Sequence, residues 1–121
     1  MAIDQSVLKK YVSDGIEARM SIDVKGVMEV SPILYDRLRG GGKLITFGNG
    51  GSAAHAQHFA AELSGRFMKE SKSFPAIALS INTFSITAIG NDYSYSEIFS
   101  RQVGGMCSEK DFVVGISTSG N

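Results

Sequence analysis

At 121 residues the chain has room for one small domain. Twelve basic side chains balance twelve acidic ones, so no polyanion-binding patch is implied and neither nucleic acid nor an anionic membrane is expected as a main partner. Cys107 is the only cysteine, which excludes an internal disulfide and fits a reducing compartment.

No apolar run reaches transmembrane length, and the start of the chain lacks the continuous apolar region of a signal peptide, so a cytoplasmic protein is expected. In chain order, Val7, Leu8, Tyr11, Val12 and Ile16 recur at helical spacing, as do Val27, Met28, Ile33, Leu34 and Leu38. Pro32 either starts the second helix or kinks an earlier one. Gly40-Gly41-Gly42 ends it, and residues 1–42 are expected to form an N-terminal helical segment.

A strand is predicted over 43–47, then a glycine-rich turn, then a helix from about Ser52 to Phe67. After a polar loop, Pro75 precedes a second strand over 76–80. A helical region follows from Thr83, broken near Gly90-Asn91-Asp92 and resuming from Tyr95 to Val103. A third strand is predicted over 112–117. All three strands read as continuous apolar runs, the pattern of parallel strands covered on both faces. Alternation of strand and helix predicts an α/β fold with an open, doubly wound parallel sheet of order 2-1-3. In such sheets ligands sit at the carboxyl ends of the strands where the strand order reverses.

Two loops fall at such strand ends. The first is Gly48-Asn49-Gly50-Gly51-Ser52, where glycines free the backbone and Ser52 is a suitable helix N-cap. Strand, glycine turn and helix together make an anion site, because helix N–H groups point at the ligand. An ordinary βα turn is the plain alternative. The loop is not a Walker A motif, since no Gly-Lys-Ser/Thr follows. It does fit G-x-G-x-x-A at Gly48, Gly50 and Ala53, but the next strand ends Ser80-Ile81-Asn82, without the acid a dinucleotide site expects. The second loop, Ser117-Thr118-Ser119, offers adjacent hydroxyls and backbone N–H groups.

The predicted helix after the glycine turn carries His55, His58, Glu62 and Arg66 within an arc of about 80°. A solvated polar face is the simple explanation of such a stripe. Yet both histidines of the chain lie on it, one turn from the glycine loop. His58 and Glu62, at i,i+4, have the spacing of two ligands to one metal or of an acid/base pair. Arg66 can neutralise a carboxylate or contact a sugar phosphate. Asn91-Asp92 either presents Asp92 to sugar hydroxyls or forms a helix-end turn. Tyr93, Tyr95 and Phe99 read as core or subunit contacts.

The stretches FGNGGSAAHAQHFAAELSGRF, FPAIALS, TAIGNDYSYSEIFSRQV and GISTSGN resemble the sugar isomerase (SIS) family, and most of all its phosphoheptose isomerase branch. They run in the family's order over roughly the last two-thirds of the chain. The resemblance implies a three-layer αβα sandwich, with residues 43–121 as the first part of an SIS domain. It also implies a homotetramer with sites between subunits. The implied reaction converts sedoheptulose 7-phosphate to D-glycero-D-manno-heptose 7-phosphate, in heptose biosynthesis. By motif position, Asn49, Gly50, Gly51, Ser52, Ser117, Thr118 and Ser119 hold substrate and its phosphate, while Arg66, Asn91 and Asp92 sit at the sugar. The family pattern makes His58 and Glu62 zinc ligands, with Glu62 also moving the proton.

Family members run beyond the STSGN loop to a late helix that supplies the remaining ligands, so the chain is expected to be a truncated form and inactive alone. It also departs from the family at His55 and Asn82, where relatives often have Asp. A non-catalytic SIS module binding a sugar phosphate or a protein is the alternative, although Glu62, which such modules lack, favours the enzymes. A nucleotide-binding fragment is a third reading.

Overall fold

The computed structural model describes residues 4–120. These divide into two compact units between Pro32 and Ile33. In the first unit, α1 (Gln5–Met20) starts where the Asp4 side chain accepts the Ser6 N–H at 2.9 Å, which satisfies one of the donors a helix start leaves over. None of its residues is buried, and Val7, Leu8, Tyr11, Val12 and Ile16 are exposed.

The second helix, α2 (Val24–Arg39), is continuous and holds Pro32 in its interior, so Pro32 does not start it. The start lies upstream because Asp23 accepts the Gly26 N–H at 2.9 Å. The end is at the expected glycines: Gly41 takes φ +86°, and Gly42 N–H returns to the Arg37 carbonyl at 3.0 Å.

The second unit is built on a sheet of three parallel strands in the order β2-β1-β3, as the sequence predicts. These are β1 (Leu44–Gly48), β2 (Ala76–Ala78) and β3 (Phe112–Ile116). Between β1 and β2 runs α3 (Gly51–Ser64); α4 (Thr83–Asp92) and α5 (Ser100–Met106) precede β3. The central strand is the core: Leu44, Ile45 and Thr46 are fully buried. Ala56 and Ala60 bring α3 down onto Ala78, with Ala76 and Ile116 alongside. The Thr46 hydroxyl donates to the Ala56 carbonyl at 2.8 Å, so it faces α3. Its neighbour Phe47 points to the other face, because side chains alternate along a strand. There it stacks on Phe99, with ring centroids 4.9 Å apart. Helical segments thus lie on both sides of the sheet, which gives the three layers of an αβα sandwich.

Several local expectations are corrected. Burial alternates along β3 and leaves Val113 and Gly115 exposed, so this edge strand is covered on the α3 face alone. The second strand stops at Ala78, and a 3-10 turn (Leu79–Ile81) buries Leu79 instead. The third helix ends at Ser64, because Gly65 leaves helical geometry at φ −96°, ψ −117°; Arg66 and Phe67 lie beyond it. The fourth helix is not broken at Gly90-Asn91-Asp92 but runs through Asp92, Gly90 keeping a helical backbone. The interruption comes at Tyr93-Ser94, followed by a 3-10 turn (Tyr95–Glu97) before α5.

Candidate functional site

The site forms where β1 and β3 end side by side, with Gly48 opposite Ile116 in the parallel register. The chain leaves β1 toward β2 on one side and β3 lies on the other, so the strand order reverses here. Gly48 is required by close approach: a Cβ would stand 2.8 Å from the Ile116 carbonyl oxygen and 2.8 Å from the Ser52 Cβ. Gly50 takes φ +54°, which turns the chain into α3.

Gly50, not Ser52, is the N-cap of α3, and no side chain caps this helix start. Ser52 lies inside the first turn and is buried. Its hydroxyl faces across the strand ends to Thr118, with the two oxygens 3.3 Å apart. A residue expected to satisfy its own helix therefore joins the two loops. Ser117 and Ser119 bring their hydroxyls within 3.4 Å of each other, and Ser117 Oγ accepts the Gly120 N–H at 3.0 Å.

Between the loops is a cleft of about 560 Å³ whose polar wall comes from Asn49, Ser52, Ser117, Thr118 and Ser119. Phe47 and Phe99 form part of the apolar wall. The polar groups here are neutral hydroxyls and an amide, set at the positive end of the α3 dipole, an arrangement suited to an anion. Gly50 and Gly51 shape the turn without lining the cleft.

Farther along α3, His58 Nε2 and Glu62 Oε1 are 2.7 Å apart. Glu62 is half-buried and His58 exposed. Arg66, off the helix, pairs instead with Glu70 at 3.4 Å, both side chains exposed. At the end of α4, Asn91 Nδ2 donates to Asp92 Oδ1 at 2.9 Å, and neither residue lines the cleft. The structure therefore brings Asn49, Ser52 and Ser117–Ser119 together, pairs His58 with Glu62, and leaves Arg66, Asn91 and Asp92 outside the cleft wall. Among the described residues, no group of three or more His, Cys, Asp and Glu side chains is placed to hold a metal.

Two contributors were not legible as site residues. Phe99 lines the cleft on Phe47, and the Tyr95 hydroxyl donates to Asn49 Oδ1 at 2.9 Å. Tyr95 and Asn49 are 46 positions apart, and no local pattern joins them. The only signal was a cluster of aromatics after α4.

Residues 10–121 match the family described as the SIS domain. A probable phosphoheptose isomerase of Thermoplasma acidophilum is 55% identical over 113 residues, covering 93% of this chain and 62% of that protein. A phosphoheptose isomerase of Aquifex aeolicus is 45% identical over 117 residues, covering 94% of this chain and 61% of that protein. Among solved structures, phosphoheptose isomerase GmhA from Neisseria gonorrhoeae superposes with a TM-score of 0.87 at 39% identity, over 97% of this chain and 62% of that one. A phosphoheptose isomerase from Francisella tularensis gives a TM-score of 0.89 at 32% identity, over 97% of this chain and 63% of that one. The chain thus spans about three-fifths of the length of these relatives. The parallel sheet, the two loops at its strand ends and the pattern matched from residue 10 onward agree, and the chain belongs to the SIS domain family.

Proposed function

We propose that this chain carries the sugar-phosphate site of an aldose-ketose isomerase that converts sedoheptulose 7-phosphate to D-glycero-D-manno-heptose 7-phosphate. The observation behind this reading is that one helix, α3, serves both halves of the chemistry. Its first turn supplies Ser52 to the hydroxyl-lined cleft, and its later turns supply the His58–Glu62 pair. Similarity to proteins named phosphoheptose isomerase supports the choice of substrate.

The phosphate is held by Ser52, Ser117, Thr118 and Ser119 at the positive end of the α3 dipole. Glu62 is the base that moves a proton between C1 and C2 through an enediol; a half-buried carboxylate beside an imidazole suits this task. His58 holds Glu62 in place. Asn49 forms part of the wall around the substrate, Gly50 and Gly51 shape the turn that carries it, and the family resemblance assigns Arg66, Asn91 and Asp92 to the sugar, from outside the cleft wall.

The donor set fits a zinc ion in part. His58 and Glu62 offer one nitrogen and one carboxylate on one side of a helix turn, two of the four ligands a tetrahedral ion takes. A bound ion would polarise the sugar oxygens during proton transfer. We also read the chain as a cytoplasmic homo-oligomer, a tetramer by resemblance, in which partner copies cover the exposed apolar residues of α1. No helix among the described residues is long and apolar enough to cross a membrane.

The test is a calorimetric titration with sedoheptulose 7-phosphate, NAD and ATP, followed by an isomerase assay. Saturable binding of the sugar phosphate alone is expected. Preference for NAD or ATP would overturn the assignment. Sugar-phosphate binding in a protein whose full-length form does not turn over would leave a binding module rather than an enzyme.

A further inference from the structure

We infer that Tyr95 is a positioning residue that holds the Asn49 side chain in place at the wall of the cleft. The inference rests on the sugar-phosphate reading above. A primary amide has an acceptor end and a donor end, and a half-turn of the side chain exchanges them. Asn49 lines the cleft, so either end can meet an anion. Only the donor end attracts one.

The main chain of Asn49 is already fixed. Its carbonyl accepts the Ser52 N–H at 2.9 Å and the Ala53 N–H at 3.3 Å. The remaining freedom is in the side chain, and the Tyr95 hydroxyl restrains it by donating to Oδ1 at 2.9 Å. With Oδ1 bonded to Tyr95, Nδ2 is the end of the amide that can donate to an anion. The tyrosine ring itself is exposed, so its place is set by the segment that carries it. That segment is anchored by Ile98, which is buried, and by Phe99 stacked on Phe47. The 3-10 turn after α4 thereby reaches across to the loop after β1 and orients one of its side chains.

The experiment is a calorimetric titration of the 121-residue chain with sedoheptulose 7-phosphate, in five forms. These are the unsubstituted chain, Tyr95→Phe, Asn49→Ala, the two combined, and Asn49→Asp. Tyr95→Phe keeps the ring and is expected to weaken binding roughly three- to tenfold, the range for one lost hydrogen bond. Asn49→Ala weakens it at least as much. The double variant is expected to bind no more weakly than Asn49→Ala, since Tyr95 acts only through Asn49. Asn49→Asp still accepts the Tyr95 O–H but turns a charged oxygen to the anion, so binding should vanish while the melting temperature stays within a few degrees. Undiminished binding by Tyr95→Phe, additive losses in the double variant, or undiminished binding by Asn49→Asp would each overturn the inference. Failure of the unsubstituted chain to bind is a different result, and overturns the sugar-phosphate reading on which the inference stands.

Discussion

Lys43 and Asp111 stand just before the adjacent strands β1 and β3 and are joined twice. The Lys43 main-chain N–H donates to Asp111 Oδ1 at 2.8 Å, and its Nζ donates to Oδ2 at 2.6 Å. Asp111 Oδ2 also accepts the Ser108 N–H at 2.7 Å and the Ser108 hydroxyl at 3.0 Å. This one carboxylate aligns the starts of both strands, and the parallel register carries the alignment to Gly48 and Ile116 at their ends.

Asp111 should therefore make stability acid-sensitive. The bond from the Lys43 side chain holds its carboxyl well below the ordinary 3.8; burial opposes this, and the Ser108 and Lys43 N–H groups reinforce it. A depressed folded-state value means the contribution is complete above the unfolded value and is lost as pH falls below about 4. Urea denaturation from pH 6 down to pH 2 should show this fall. Asp111→Ala should cost about 3 kcal/mol at pH 7 and flatten that part of the pH profile.

Gly48→Ala should disturb the site from beneath. The new methyl would collide with the Ile116 carbonyl and the Ser52 Cβ, so one of the two loops must move. A loss of about 2 kcal/mol in chemical denaturation is expected, with weakened sugar-phosphate binding.

Replacing Ser52 by Glu should abolish sugar-phosphate binding. The residue is buried against Thr118 at the positive end of α3, so a carboxylate there takes the place of the ligand anion and repels it. Calorimetry showing unchanged affinity would put the phosphate elsewhere.

Glu62→Gln should separate chemistry from binding. The substitution keeps size and shape but removes the base. In the full-length enzyme kcat should therefore fall by about 100-fold or more with KM little changed. His58→Ala should lower zinc content, measured by metal analysis after dialysis, because it deletes a ligand, and Glu62→Gln should lower it too, because an amide replaces the carboxylate ligand.

Sedimentation velocity at micromolar concentration should detect self-association. The face of α1 formed by Val7, Leu8, Tyr11, Val12 and Ile16 is exposed throughout, and an apolar stripe of this kind is normally buried against a partner. A sharp monomer boundary would contradict the oligomer.

The sheet order was legible because buried strands separated by helices leave few parallel arrangements. The two loops were legible because glycine and hydroxyl residues cluster right after strands. What escaped the sequence depends on contacts between distant segments. Whether Ser52 caps its helix or faces Thr118 is decided by the neighbouring loop, 66 positions away. That Arg66 leaves the stripe of His58 and Glu62 depends on Gly65, whose backbone can end a helix or continue it. That only half of β3 is covered is decided by which helices reach the sheet edge, and apolar content alone does not reveal it.

The Thr46 hydroxyl has a consequence for the whole of α3. Alanine is the smoothest side chain a helix can press against a sheet, and Ala56 and Ala60 form that contact. Such a surface fixes how close the helix lies but gives little purchase against rolling about its own axis. The hydrogen bond from Thr46 to the Ala56 carbonyl supplies the missing angular stop. The direction in which His58 and Glu62 project is thus indexed to one buried oxygen on the opposite side of their helix, like the pin that sets a dial.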